Sequence, residues 1–279
     1  MSKKKKIILA ICAAVFLALV IWTVWSNTAL VVTEYTIQSA EIPDAFAGFR
    51  IAQVSDLHNS SMADKVLTKL CQIQPDIIAI TGDLIDSRNT DVALALDFAA
   101  EAVKIAPCYY VTGNHESRVE EYAQLKEGLL ALGVTVLENK CVTLQRDGET
   151  IYLLGVLDPT FETDYINGWE AKTMNESLKT ITPETGFTIL LSHRPDFMDT
   201  YIKRGIDLVI SGHFHGGQIR LPFVGGLYAP GEGLFPEYDA GFFRESDTQL
   251  IVSRGIGNSI FPLRFNNPPE LVVVTLNPQ

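Results

Sequence analysis

Five histidines occur in the chain, His58, His115, His193, His213 and His215, and each lies in a short polar stretch that closes an apolar run. The stretches are Asp56-Leu57-His58, Gly82-Asp83-Leu84-Ile85-Asp86, Gly113-Asn114-His115-Glu116, Ser192-His193 and Gly212-His213-Phe214-His215. Carboxylate, imidazole and carboxamide groups with no thiolate among them suit Mn, Fe or Zn better than a soft metal. A carboxylate such as Asp83 can bridge two ions, and two ions roughly 3.5–4 Å apart can activate a water and clamp a phosphoryl oxygen. Asn114 and His115 are adjacent, so both need not bind metal. His115 suits a second role, giving a proton to a leaving group or steadying its charge. A lone histidine is usually structural; all five at strand ends, in company with carboxylates, point to one centre.

Such a centre needs a scaffold that brings five distant segments together. Phe49–Ser55, Ile77–Thr81 and Cys108–Thr112 read as strands, and Met62–Ile73, Asp91–Lys104 and Val119–Leu132 as helices between and after them. Val66, Leu67, Leu70 and Ile73 show the helical spacing of a buried face. Strand and helix alternation with short connections predicts βαβ units and a mostly parallel sheet. The second half is richer in strands: Val134–Leu137, Cys141–Gln145, Thr150–Val156 after an Asp147-Gly148 turn, Phe187–Leu191, Leu208–Ser211, Gln249–Val252 and Leu271–Leu276. Trp169–Thr180 reads as a helix, Leu30–Ile37 as an edge strand and Pro43–Gly48 as a connector. Two sheets packed face to face with helices outside accommodate this count. In parallel sheets the strand C-termini share one edge, where ligand sites form, and every chemical stretch follows a strand. The glycines before Asp83, Asn114 and His213 suit turns in which the chain passes close to a metal.

Ahead of this domain, Lys3–Lys6 precede an almost unbroken apolar run from Ile7 to Trp25. At 1.5 Å per residue the run spans roughly 28 Å, about the hydrocarbon thickness of a bilayer. Trp22 and Trp25 stand at its far end, where an interfacial aromatic belt belongs. No Lys or Arg follows until Arg50, so the positive-inside rule puts the N-terminus in the cytoplasm and the rest outside. A cleaved signal peptide would have a shorter core and a small-x-small site; Asn27-Thr28-Ala29 is a poor one. The reading is a basic tail at 1–6, a single-pass anchor at 7–25 and one extracytoplasmic domain at 30–279. The formal net charge of the chain is −11 although four of its 22 basic residues are in the tail. So acidic a domain repels phosphate backbones and excludes a broad grip on nucleic acid. Cys71, Cys108 and Cys141 form no CxxC pair, which argues against a disulfide framework.

The polar stretches in this order resemble the calcineurin-like metallophosphoesterase superfamily, with its Asp-x-His, Gly-Asp-x-x-Asp, Gly-Asn-His-Glu/Asp, lone His and Gly-His-x-His. Every element is present over residues 56–215. The resemblance implies a four-layer α/β/β/α sandwich of the α/β class, preceded here by the transmembrane helix. It implies two divalent ions, with Asp56, His58 and His215 on the first, Asp83 bridging, and Asn114, His193 and His213 on the second. His115 would be the catalytic histidine and Asp86 would orient it. Arg88 is off the arginine position used in the phosphoprotein phosphatase branch. Ser211-Gly212-His213-Phe214-His215-Gly216-Gly217-Gln218, with the Leu-Pro and Leu-Tyr-Ala-Pro-Gly that follow, is similar to a bacterial membrane-associated subgroup, YkuE/YaeI-like. That likeness implies hydrolysis of a phosphodiester or pyrophosphate, in a lipid-linked or wall-linked substrate, by hydroxide held between the metals. Alternatives are a UDP-2,3-diacylglucosamine pyrophosphatase-like enzyme of lipid A synthesis, a phosphomonoesterase, or a non-catalytic metal-binding module on the same fold. Glu116 reads as a helix-start carboxylate or as a support behind the metal ligands. Residues 221–243, rich in Gly, Pro and aromatics, read as a long loop or short hairpins, for packing, for the wall of an apolar substrate or for leaning on the membrane.

Overall fold

Apolar runs too continuous for half-exposed strands become the interior of two sheets. A computed structural model describes residues 1–162, 169–229, 233–258 and 262–279. In chain order its elements are α1 (Lys3–Thr28), β1 (Val31–Ser39), β2 (Phe49–Val54), α2 (Ala63–Ile73), β3 (Ile77–Thr81), α3 (Val92–Ala102), β4 (Cys108–Val111), α4 (Tyr122–Ala131), β5 (Thr135–Val136), β6 (Lys140–Arg146), β7 (Glu149–Gly155), α5 (Trp169–Ile181), β8 (Thr188–Leu191), α6 (Met198–Lys203) and β9 (Leu208–Ser211). Four two-residue strands follow, β10 (Arg220–Leu221), β11 (Gly225–Gly226), β12 (Tyr228–Ala229) and β13 (Gly233–Leu234), and then β14 (Gly241–Glu245), β15 (Thr248–Val252) and β16 (Glu270–Pro278).

Among the described residues the first sheet has the order β1-β16-β2-β3-β4-β5 and the second β14-β15-β9-β8-β7-β6. Strands β2 to β5 are parallel neighbours, as are β7, β8, β9 and β15. Alternation along each strand divides the core into three. Ile51, Ile77, Ala79 and Val111 face Ile151, Ile189, Leu191, Ile210 and Ile251 between the sheets. Val54, Ile78, Ile80 and Tyr110 meet Val66, Leu70, Phe98, Ala99, Leu125 and Leu129 of α2–α4 on the outer side of the first sheet. Leu190, Val209 and Leu250 meet Met174, Leu178, Met198 and Tyr201 of α5 and α6 outside the second. The layering is the expected α/β/β/α. Each large apolar side chain sealed in this way contributes about 1.5–3 kcal/mol.

One polar contact fixes how the sheets align. Gln53 of β2 is buried between them and donates from Nε2 to Thr81 Oγ1 at 2.9 Å and to the Ser211 carbonyl at 2.7 Å. It therefore holds the C-terminal ends of β2, β3 and β9 together. Helix α4 starts later than its sequence period predicts, because Glu116–Arg118 forms a separate 3₁₀ turn and Val119 is extended (φ −131°, ψ 139°). Strand β1 does lie at a sheet edge, but it pairs with β16 in parallel register, Val31 opposite Glu270. The stretch from 221 to 243 forms the hairpins β10–β11 and β12–β13, of which residues 230–232 lie outside the described ones.

Helix α1 stands apart from the layers, with apolar side chains from Ile7 to Val24 exposed, and it is long and apolar enough to cross a membrane. Its last turn is nevertheless built into the domain. Ser26 is fully buried and its Oγ accepts from the Asn266 amide at 3.1 Å. Asn27 accepts from the Arg264 amide at 2.9 Å and donates to the Arg264 carbonyl at 2.7 Å. Lys65 donates to the Thr28 carbonyl at 3.0 Å.

Candidate metal centre

All seven candidate ligands are buried on the shared C-terminal edge of the two sheets: Asp56 and His58 past β2, Asp83 past β3, Asn114 past β4, His193 past β8, and His213 and His215 past β9. The loops that carry them turn sharply. Asp56, His58, Asp83, His213 and His215 all have left-handed backbone, with φ of 53°, 47°, 49°, 73° and 48°. For residues with a Cβ this costs roughly 1–2 kcal/mol each, so neighbouring contacts must hold it. They do: the Asp56 amide donates to the Gly82 carbonyl at 3.1 Å, and the His58 amide to the Asp83 carbonyl at 3.0 Å. The loops pass so closely that a Cβ on Gly113 would lie 2.2 Å from Asp83 Oδ1, and one on Gly212 1.9 Å from Ser55 Oγ.

Among the described residues, three groups bring ligand atoms within 4.8 Å of one another: Asp56, His58 and His215; His58, Asp83 and His115; Asp83, His193 and His213. Nε2 of His58 faces Nε2 of His215 at 3.2 Å, and Nε2 of His193 faces Nδ1 of His213 at 3.1 Å. Two nitrogens bound about 2.1 Å from one ion at roughly 90–110° are about 3.0–3.4 Å apart, so each pair fits one shared cation. Nδ1 of His193 lies 2.9 Å from the Thr81 carbonyl, which can only accept, so this nitrogen carries hydrogen and Nε2 is left to bind metal. Asp83 Oδ2 is 3.3 Å from His193 Nε2 and 3.5 Å from His58 Nε2, between the two halves of the centre. Asn114 Oδ1 is buried with no hydrogen-bond partner, the condition of a ligand awaiting a cation. The residues present therefore fit two divalent ions.

The electrostatics agree. Burial alone would lower the pKa of His193, but Asp83, and Asp56 after it, push it up to about 10. Burial drives the Asp56 carboxyl up to about 6 against the pull of His193. Burial lowers the pKa of His58, His213 and His215, which keeps these imidazoles neutral, the form that binds a cation.

Side chains that are not themselves candidate ligands set the ligands in place. Glu116 is fully buried. Its Oε2 accepts from the amides of Asp83 (3.0 Å) and Gly113 (2.7 Å), and its Oε1 from those of Leu84 (2.8 Å) and Ile85 (3.3 Å). It is a clamp between the β3 and β4 loops rather than only a helix-start charge. Burial, and then Asp83, push its carboxyl up to about 7, and the Gly113 and Ile85 amides pull it back. Arg194, ion-paired with Asp158 at 2.9 Å, reaches His213 Nε2 at 3.3 Å. Arg264, also fully buried, reaches His215 Nδ1 at 3.3 Å and donates to the Gly257 and Arg254 carbonyls. Asp158 ends a connection three residues past β7 and could have been found by the same strand-end rule as the ligands. Arg264 lies in an irregular segment without such a marker.

His115 sits beside this centre, with Nε2 3.9 Å from Asp83 Oδ2. Its Nδ1 accepts from the Ser87 amide at 3.0 Å, so in the neutral ring Nε2 carries the hydrogen. Burial lowers its pKa against the opposing pull of Asp83 and Asp86. Asp86 is not hydrogen-bonded to the ring. It lies 3.5 Å from Nδ1 and is paired instead with Arg88, at 2.9 Å to Nε and 2.6 Å to Nη2. The hydrogen bond to Nδ1 comes from the Ser87 amide, with Asp86 beside it.

Residues 49–217 match the family model described as calcineurin-like phosphoesterase. The chain is 34% identical to the metallophosphoesterase YkuE of Bacillus subtilis over 256 residues, 88% of this chain and 84% of that one. It is 27% identical to the phosphodiesterase YaeI of Escherichia coli over 241 residues, 84% of each chain. Among solved structures, TT1561 of Thermus thermophilus aligns with a TM-score of 0.51 at 13% identity, over 74% of this chain and 89% of that one, which is a likeness of fold.

Proposed function

The chain belongs to the calcineurin-like phosphoesterase family, and on that premise we propose that it is a two-metal phosphohydrolase that cleaves a phosphodiester or pyrophosphate bond in a lipid-linked or other cell-envelope substrate, on the outer face of the membrane crossed by α1. The observation that carries the reading is the meeting of Asp56, His58, Asp83, Asn114, His193, His213 and His215 on one sheet edge, with two pairs of imidazole nitrogens facing each other at cation-sharing distance. Asp56, His58 and His215 would hold one ion, Asn114, His193 and His213 the other, and Asp83 both. When bound, Mn, Fe or Zn ions there lower the pKa of water and neutralise charge on phosphoryl oxygens.

The residues of the chain do the rest. His115, with its hydrogen on Nε2, would donate a hydrogen bond to the departing oxygen and steady its charge, and is held for it by the Ser87 amide at Nδ1. Asp86, 3.5 Å from Nδ1, stands beside the ring and is paired with Arg88. Burial of the ligands keeps bulk water from competing for the ions. Two facts favour a diester in or near a membrane. YaeI, a relative over most of the chain, is named a phosphodiesterase. The end of α1 is bonded to Arg264, which touches the candidate ligand His215.

The test uses the full chain in detergent micelles with added Mn. Bis-p-nitrophenyl phosphate is expected to turn over faster than p-nitrophenyl phosphate, and Asp83→Asn to abolish both activities. A protein that binds no metal and hydrolyses neither ester would make this domain an interaction module. Turnover of the monoester alone would make it a phosphomonoesterase.

A further inference from the structure

The hairpins that follow the metal centre carry apolar side chains that the domain leaves uncovered. Phe223 and Val224 stand at the tip between β10 and β11, and Leu234 and Phe235 at the end of β13; all four are exposed, as are Leu221, Tyr228 and Leu263. Both aromatic residues adopt left-handed backbone, φ 66° at Phe223 and 56° at Phe235. A bulky residue rarely does so, and here neither ring gains a place in the core in return. Around the first tip, residues 221–229 include no charged side chain, so moving them out of water would strand no ion, whereas Glu232 and Glu237 flank Leu234 and Phe235 and must stay at the polar margin.

The first hairpin is tied at its base to the end of α1. The Arg220 amide donates to the Phe265 carbonyl at 3.0 Å, and Asn266 Nδ2 donates to the Arg220 carbonyl at 3.1 Å. The same Asn266 donates its amide to Ser26, and neighbouring Arg264 is bonded in both directions to Asn27. An apolar recess of about 300 Å³, lined by Gly217, Gln218, Ile219, Leu227 and Tyr228, lies at the base of the hairpins, just past His215 in the chain.

We propose that the β10–β11 tip and the end of β13 form a membrane-docking face, in which Phe223, Val224, Leu234 and Phe235 enter the lipid surface of the bilayer spanned by α1. The occupant is lipid because the face is continuous, through 264–266, with a helix whose length and composition suit a bilayer. An acidic domain gains no attraction from anionic headgroups, so apolar insertion is the means left to hold it there. Docked in this way, the domain cannot swing freely about residue 29, and the loop of His213 and His215 lies beside the headgroups, where a lipid-borne phosphate arrives. The docking face rests on the reading of α1 as a span and not on the catalytic reading.

The full chain in phosphatidylcholine vesicles tests it. In a background with Trp22→Phe, Trp25→Phe and Trp169→Phe, Phe223→Trp and, separately, Phe235→Trp supply one fluorophore each. Acyl-brominated phosphatidylcholine is expected to quench more than half of the added emission, and aqueous iodide to leave it nearly unchanged. Iodide quenching as efficient as that of a free indole, with none from the brominated lipid, overturns the proposal. The double variant Phe223→Ser with Phe235→Ser is expected to raise KM for a vesicle-embedded phosphodiester about tenfold, with kcat/KM for a soluble diester unchanged. An equal loss on both esters also overturns it. If the wild-type protein cleaves no diester at all, the catalytic reading fails while the quenching result still decides the docking.

Discussion

Glu116 offers the sharpest test of how the centre is assembled, because it is predicted to matter without touching a metal. Each of its carboxylate oxygens accepts two backbone amides, from Asp83 and Gly113 on one side and Leu84 and Ile85 on the other. In Glu116→Gln the side chain keeps its shape, but whichever way the amide is turned, its NH₂ meets two N–H donors. Two hydrogen bonds to a charged group are lost, at about 1.5–3 kcal/mol each, so about 3–6 kcal/mol of stability should go. For a domain of this size each kcal/mol is worth roughly 2–4 °C in Tm, and the expected drop is at least about 6 °C. At pH 8 the wild-type group is ionised, being above the value of about 7 to which burial pushes it. Thermal unfolding of the full chain in detergent at that pH, with Mn, measures the drop. A Mn titration of activity should show a weakened requirement curve, since the Asp83 and Asn114 loops lose their common clamp. A Tm within about 2 °C of wild type, with unchanged Mn dependence, would refute the clamp.

Chelation should lower the Tm and restored Mn should raise it, in proportion to the logarithm of the free metal; superimposable melts with EDTA and with Mn would mean that the clustered ligands hold no ion. Asn27→Ala should lower the Tm by a few degrees, through the loss of two hydrogen bonds to Arg264 worth about 0.5–1.5 kcal/mol each, and an unchanged melt would show that the end of α1 is not docked. Burial pushes the Cys108 thiol up to about 12, so iodoacetamide at pH 8 should label exposed Cys71 and spare Cys108 in the folded protein, as peptide masses will show. Protease added outside intact cells should cut the domain, whereas full protection, with a control protein cut, would assign it to the cytoplasmic face.

What the sequence disclosed and what it hid divide along a physical line. The seven candidate ligands could be picked out because each stands at the end of a continuous apolar run, and a parallel sheet gathers such ends. The layering followed from the same runs. The supports were hidden because they act through backbone amides or over long separations. Glu116 is one residue from His115, and only its bond to the Gly113 amide is local; its other partners, the amides of Asp83, Leu84 and Ile85, lie 31 to 33 residues back. The Ser87 amide that orients His115 has no side-chain signature at all. Asp86 was plausible by spacing, but a guanidinium two residues on captures it. Sheet order was equally out of reach, because the pairing of β1 with β16 depends on which edge of β2 remains open and not on any feature of either strand.

The position of β16 between β1 and β2 sets a timetable for vectorial synthesis. Leu276 pairs with Phe49, so the strand that completes the first sheet is made more than two hundred residues after the strand it completes. The loop of Asp56 waits just as long, for its carbonyl bonds to the amide of Gly257. While α1 and the early βα units are already in place, β1 has no partner and one flank of β2 is open to chaperones, proteases or a neighbouring nascent chain. The metal centre is therefore among the last parts to form, and a chain stalled or clipped before residue 270 would carry every ligand and still lack a finished site.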